Sequence, residues 1–145
     1  MHILAGDIGG THTRLRIAEC TANRCRALRD RQFASREYAS FDEILRVFLE
    51  DASWPIDSVC LAVAGPVAQA ARGQSVRLTN LSWRIDGDAL ARAFGFPRVR
   101  LINDFQAVGY GIEALSDDLS MALAARSIRA SASNSSPANH IRPIR

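Results

Sequence analysis

The chain has 145 residues, 48% hydrophobic and 23% charged, which predicts a soluble globular protein with one core of ordinary size. No run of 18 apolar residues occurs, so neither a bilayer-spanning helix nor a membrane partner is expected. All 18 basic residues are arginine, and the lack of lysine excludes a Walker-type phosphate loop and Schiff-base chemistry.

The charge is unevenly placed. Residues 1–119 hold 14 arginines and all 15 acids, a net of −1, whereas residues 120–145 hold four arginines and no acid, a net of +4. The overall +3 therefore belongs to the tail. It is not the footprint of a nucleic-acid-binding face, and no aromatic residue is interleaved with the tail arginines. The amino terminus lacks a basic flank followed by a long apolar stretch, which predicts no signal peptide and cytoplasmic residence.

In chain order, Ile3–Asp7 reads as a buried strand ending at Gly9-Gly10, and Thr13–Glu19 as a second strand paired with it in a hairpin. Leu28–Tyr38 is a weaker third strand. Ser40-Phe41-Asp42-Glu43 is a capping box. Phe41, Ile44, Leu45, Phe48 and Leu49 then form the apolar face of a helix that Pro55 closes off. Val59–Ala64 is apolar throughout, the pattern of a central strand buried on both faces, and Gly65-Pro66 ends it. Val76–Leu78 is a short strand leading to Thr79-Asn80. Asp86 caps a helix over Gly87–Phe94, with Ala89, Leu90, Ala93 and Phe94 expected inward. Val99–Asn103 is a further strand and Phe105–Leu115 a further helix. Hairpins first and crossovers after them predict an α/β fold, a mixed sheet with helices on it. Residues 1–119 form the expected lobe. Residues 120–145 form a basic tail, with disorder expected from Ser131 onward.

Cys20, Cys25 and Cys60 have no metal-ligand spacing, and free thiols are expected, with Cys60 packed in a strand; a disulfide or zinc site is the alternative, Cys20 and Cys25 being five apart around a turn. Gly6-Asp7-Ile8-Gly9-Gly10-Thr11 stands at the tip of the first hairpin. Its glycine amides suit an anion, the Thr11 hydroxyl adds a donor, and Asp7 at the strand end suits Mg²⁺ held through water. A tight turn with glycines at positive φ fits the same residues. Asn103-Asp104 ends a strand where α/β sheets bind ligands. Asp104 there suits a base for a substrate hydroxyl, with Asn103 fixing a neighbouring hydroxyl. Equally, Asp104 suits a helix cap, and Asn103 suits a partner for loop backbone.

Taken together, four segments resemble one family. Leu4-Ala5-Gly6-Asp7-Ile8-Gly9-Gly10-Thr11-His12-Thr13-Arg14-Leu15 is similar to the first phosphate motif of bacterial ATP-dependent glucokinases. Ala62–Val67, Val76–Trp83 and Leu101–Gly111 match that family in order and spacing, and the resemblance covers residues 3 to about 119. It implies one lobe of a ribonuclease H-like, actin-like ATPase fold, incomplete in this chain. It implies ATP and glucose as ligands, Mg²⁺ as cofactor and a homo-oligomer as one arrangement. It also implies Asp104 as catalytic base and sugar ligand, Asn103 as a sugar contact, Gly6–Thr11 as the nucleotide phosphate loop and Asp7 beside the metal. Family members often have Asn where this chain has His12. The second phosphate loop and the further sugar-gripping residues have no counterpart here. The arginine- and serine-rich stretch after residue 119 therefore reads as a truncated or frameshifted end, inactive alone, with apolar sheet surface left open. A non-catalytic sugar-sensing or regulatory module of the same fold is the alternative.

Overall fold

The computed structural model describes residues 1–21, 24–70 and 73–104. Along the chain these form β1 (His2–Ile8), β2 (His12–Cys20), β3 (Cys25–Ala34), a 3-10 turn (Ser35–Glu37), α1 (Phe41–Leu49) and β4 (Ser58–Val63). There follow β5 (Val67–Ala70), β6 (Gly73–Arg77), β7 (Arg84–Asp86), α2 (Gly87–Phe94) and β8 (Val99–Asn103). The main sheet has the order β3-β2-β1-β4-β8. The β1–β2 and β2–β3 pairs are antiparallel hairpins, and β1–β4 and β4–β8 are parallel. The mixed α/β expectation is met.

Strand alternation sends Leu4 and Ile8 of β1, Leu15 and Ile17 of β2, and Val59, Leu61 and Val63 of β4 into one large core. Phe41, Ile44, Leu45 and Phe48 of α1 cover that face, one helical stripe as the spacing predicts. Ser40 caps α1 by accepting the Glu43 amide at 3.4 Å. Glu43 reaches back one residue further than a standard box, to the Ala39 amide at 2.8 Å. Asp86 caps α2 by accepting the Ala89 amide at 2.9 Å, and Gly95 ends it at φ 69°. Of the four residues expected inward on α2, Leu90 is buried and Phe94 half-buried, stacking on Phe96, while Ala89 and Ala93 are exposed. A helix of two turns meets the sheet through little more than one residue per turn.

Several expectations need correction. The third strand runs Cys25–Ala34 instead of Leu28–Tyr38, because Ser35 turns inward and its carbonyl accepts the Tyr38 amide at 3.3 Å in a 3-10 turn. The short strand near Val76 is the middle of a separate antiparallel sheet, β5-β6-β7. Strands of four and three residues carry too little alternation to be read from sequence. Cys20 and Cys25 form a disulfide instead of free thiols, because the β2–β3 register places them directly opposite at the hairpin mouth. Cys60 is free and buried, with its thiol pushed up to about 11 by burial.

The expected open apolar surface is not found among the described residues. Among the described residues, Met1 is the sole large hydrophobic side chain that is exposed, and β4 is buried along nearly its whole length. On the second face of the sheet Ile3, Ala18, Cys20 and Cys60 form a smaller buried cluster, with Ala5, Cys25 and Ile102 packed against it. At the sheet edge, the Gln74 side chain accepts the Leu101 amide of β8 at 2.9 Å, which covers an otherwise open strand. The expected helix Phe105–Leu115 and the tail from residue 120 lie outside the described residues. No helix among the described residues is long and apolar enough to cross a membrane.

Candidate active site

Parallel pairing of β1, β4 and β8 brings three strand ends to one edge. Ile8 lies beside Val63, and Val63 beside Asn103. Asp7 and Asp104 are thus at the same edge two strands apart, roughly 10 Å between strand axes at about 4.8 Å per strand. That separation has room for a phosphoryl group and a hydroxyl between two carboxylates.

The two carboxylates feel each other. The Asp7 acid is held above its ordinary value, first by desolvation and then by the negative charge of Asp104, with Arg14 opposing. Asp7 is exposed by area, so its desolvation is partial. Arg14 stands directly across the β1–β2 pair from Asp7. It is itself held by Asp30, whose carboxylate accepts from Nε and Nη2 at 2.9 Å each. These hydrogen bonds, with a further one from Arg16, hold the Asp30 acid below its usual range.

The raised Asp7 value has a stability consequence with a definite sign. A carboxyl that binds its proton more tightly when folded favours the fold below the ordinary carboxylate range and loses that advantage as pH rises. Asp7→Asn removes the charge, so a small rise in melting temperature at pH 7 is expected, with none at pH 3. Thermal melts at the two pH values check this; a lower melting temperature at pH 7 would show that Asp7 is stabilised as an anion.

The hairpin tip, Gly9–Thr11, is more constrained than a flexible glycine turn. The Gly9 amide donates to the His12 carbonyl at 2.9 Å, so it is engaged inside the hairpin and does not face a ligand. Neither Gly9 nor Gly10 has a positive φ; among the described residues only Gly73 and Gly95 do. The turn therefore does not require glycine for its backbone angles. Close approach requires it: a Cβ on Gly10 would stand 2.8 Å from the Asn80 Cβ. Two other members of the expected phosphate loop belong to the core. The Ile8 side chain is fully buried, and a Cβ on Gly6 would strike Leu61 and Leu15. Thr11 and His12 are exposed at the tip.

The remaining loops meet the tip at this edge. The Ala64 amide donates to the Ile8 carbonyl at 3.1 Å, and the Thr79 hydroxyl to the Ala64 carbonyl at 3.4 Å. Asn103 donates from Nδ2 to the Gly65 carbonyl at 2.7 Å, so part of its side chain fixes the turn after β4. Sequence reasoning missed three residues here. Thr13 and Ser35 are fully buried hydroxyls behind the hairpin tip, and Arg14 is cross-strand from Asp7. The alternation of β2 turns Thr13 inward and Arg14 outward, a signal present in the sequence. Nothing local marks Ser35. Among the described residues no group of three or more His, Cys, Asp or Glu side chains clusters to hold a metal.

The sequence profile of the glucokinase family matches residues 4–135, running past residue 119. A glucokinase of Nostoc punctiforme is 38% identical over 115 residues, covering 78% of this chain and 33% of that protein. A glucokinase of Synechocystis is 36% identical over 137 residues, covering 86% of this chain and 38% of that protein. Among solved structures, a glucokinase from an Antarctic psychrotroph superposes with a TM-score of 0.68 at 32% identity, over 80% of this chain and 36% of that one. A ROK family glucokinase from Streptomyces griseus, solved with glucose and AMPPNP, shares the fold with a TM-score of 0.57 at 21% identity, over 77% of this chain and 36% of that one. The chain spans about a third of the length of the curated relatives it matches.

Proposed function

Because the chain belongs to the glucokinase family, we propose that it carries the substrate-facing edge of an enzyme that moves the γ-phosphate of ATP to glucose. The observation that supports this most is the shared sheet edge, where parallel register sets Asp7 and Asp104 two strands apart beside the Gly9–Thr11 tip. In this reading Asp104 accepts the proton of the glucose 6-hydroxyl. That oxygen bonds to the γ-phosphorus as the bond to the β–γ bridging oxygen breaks, and ADP leaves. Asn103 is held by its bond to the Gly65 carbonyl, which orients it for a neighbouring sugar hydroxyl. The Gly10 amide and the Thr11 hydroxyl face the phosphates.

A divalent cation fits the donor set. Asp7 is destabilised as an anion first by desolvation and then by the charge of Asp104, and a cation beside it offsets both. A lone carboxylate with water suits Mg²⁺, which keeps several waters and takes its other ligands from phosphate. When bound, Mg²⁺ would neutralise phosphate charge; Asp7 would hold it. The reading places the enzyme in the cytoplasm, where ATP is available.

The test joins this chain, after Asp104, to the remainder of the Nostoc punctiforme glucokinase. Glucose-dependent ADP release from the fused protein is the expected result. The 145-residue polypeptide assayed alone is expected to be inactive, because both ligands need walls from two lobes that close on them. A fusion that melts cooperatively yet turns over no hexose would sink the kinase reading.

A further inference from the structure

Ser35 holds the hairpin tip at two points. Its amide donates to the Thr11 carbonyl at 2.9 Å, and its hydroxyl to the Gly9 carbonyl at 2.8 Å. These two carbonyls flank Gly10. The Ser35 hydroxyl also lies 2.9 Å from the Thr13 hydroxyl. A serine hydroxyl has one proton, and here it goes to Gly9; Thr13 must therefore donate to Ser35. Both side chains belong to fully buried residues, so water does not replace a lost partner cheaply.

The bond to Gly9 sets a direction. In a trans peptide the carbonyl and the amide of one plane point opposite ways, and no cis peptide occurs among the described residues. The carbonyl of the Gly9–Gly10 plane faces Ser35, so the Gly10 amide points away from Ser35. The Gly9 amide is already closed onto His12. Gly10 is thus the glycine of the tip whose donor the scaffold turns outward.

We propose that Ser35, backed by Thr13, is a positioning residue that fixes the Gly9–Gly10 peptide plane so that the Gly10 amide is presented to a phosphate oxygen. The proposal rests on the reading of Gly9–Thr11 as a phosphate loop. It adds the device that sets the loop's polarity. The sequence links the parts only through the fold, since Ser35 lies 26 residues from Gly9.

The test carries Ser35→Ala, Thr13→Val and Ser35→Thr, beside wild type, in the 145-residue chain labelled with ¹⁵N for amide exchange and in the ¹⁵N-labelled fused protein for Mg-ATP titration. Amide hydrogen exchange is followed at Gly9, residue 35, Leu61 and Leu101, and Mg-ATP is titrated against the Gly10 and Thr11 resonances. Expected for Ser35→Ala is exchange at the hydrogen-bonded amides of Gly9 and residue 35 faster by about tenfold, from loss of one buried hydrogen bond of about 1.4 kcal/mol, with Leu61 and Leu101 unchanged. The Mg-ATP response of Gly10 should weaken in parallel. Thr13→Val should act in the same direction but less, and Ser35→Thr, which keeps the hydroxyl, should restore both. Unchanged exchange at Gly9 and residue 35 overturns the proposal, as does an equal rise at Leu61, which would make Ser35 a general stability residue. Local loosening with no response of the wild-type tip to Mg-ATP supports the clamp but removes the phosphate-loop reading, so the two fail separately.

Discussion

Asp104→Asn in the fused enzyme is expected to lower kcat by about 10²- to 10⁴-fold with little change in the melting temperature. The substitution separates two roles that one carboxylate can fill at the start of a helix. Asn caps a helix about as well as Asp, so a residue that only caps tolerates the change. A general base does not, because the amide cannot take the sugar hydroxyl proton as the phosphorus–oxygen bond forms. Geometry favours the second role. Asp104 follows the carboxyl end of β8, at the edge it shares with Asp7, close enough for its charge to raise the Asp7 acid. Removing the Asp104 charge should also let Asp7 ionise at lower pH, which NMR titration of the Asp7 carboxyl would show. A kcat within threefold of wild type would reduce Asp104 to a cap.

Legibility in the sequence followed the length and periodicity of each element. The β1–β2 hairpin, α1 and α2 with their caps, β4 with its apolar run from Val59 and the edge strand β8 were all readable, because each has five or more residues with one pattern, a capping side chain, or both. β5 and β7 were not, because strands of four and three residues are too short to show a pattern. The Cys20–Cys25 bond was missed because spacing alone cannot show that the two residues face one another across a hairpin; register shows it. Site residues divide in the same way. Asp7, Asn103 and Asp104 sit at strand ends and were legible as a set once the strands were placed in parallel order. The work of Ser35 was hidden, because its contacts to Gly9 and Thr11 exist only after β3 folds back on β2. Gly6 was grouped with the phosphate loop by its neighbours in the chain, although strand geometry places it in the core.

Gly6→Ala is therefore expected to destabilise the fold, by about 1–3 kcal/mol, while leaving the hairpin tip intact. Gly6 lies opposite Leu15 on one side and Leu61 on the other. A Cβ at this position would stand 2.7 Å from the Leu61 Cδ2 and 2.9 Å from the Leu15 Cδ2, nearer than carbon atoms pack. Leucine side-chain ends can move where space exists, but both residues have no exposed surface and lie within one continuous core, so movement displaces further side chains. Two effects compete. Replacing glycine restricts the unfolded chain and favours folding by about 0.4–1 kcal/mol, since the native φ is not positive. Crowding two fully packed leucines costs more than that, so the net sign is destabilising. The expected observation is a lower urea midpoint with an unchanged slope. Leu61→Ala is costly by itself, at about 2–5 kcal/mol, yet it opens the space the new methyl needs. Combined with Gly6→Ala it should cost less than the sum of the two single changes, by roughly 1 kcal/mol or more, as expected for residues in contact. Were Gly6 part of the anion cradle instead, Gly6→Ala would leave the midpoint in place and weaken Mg-ATP binding at the tip, the reverse of the result expected from its packing.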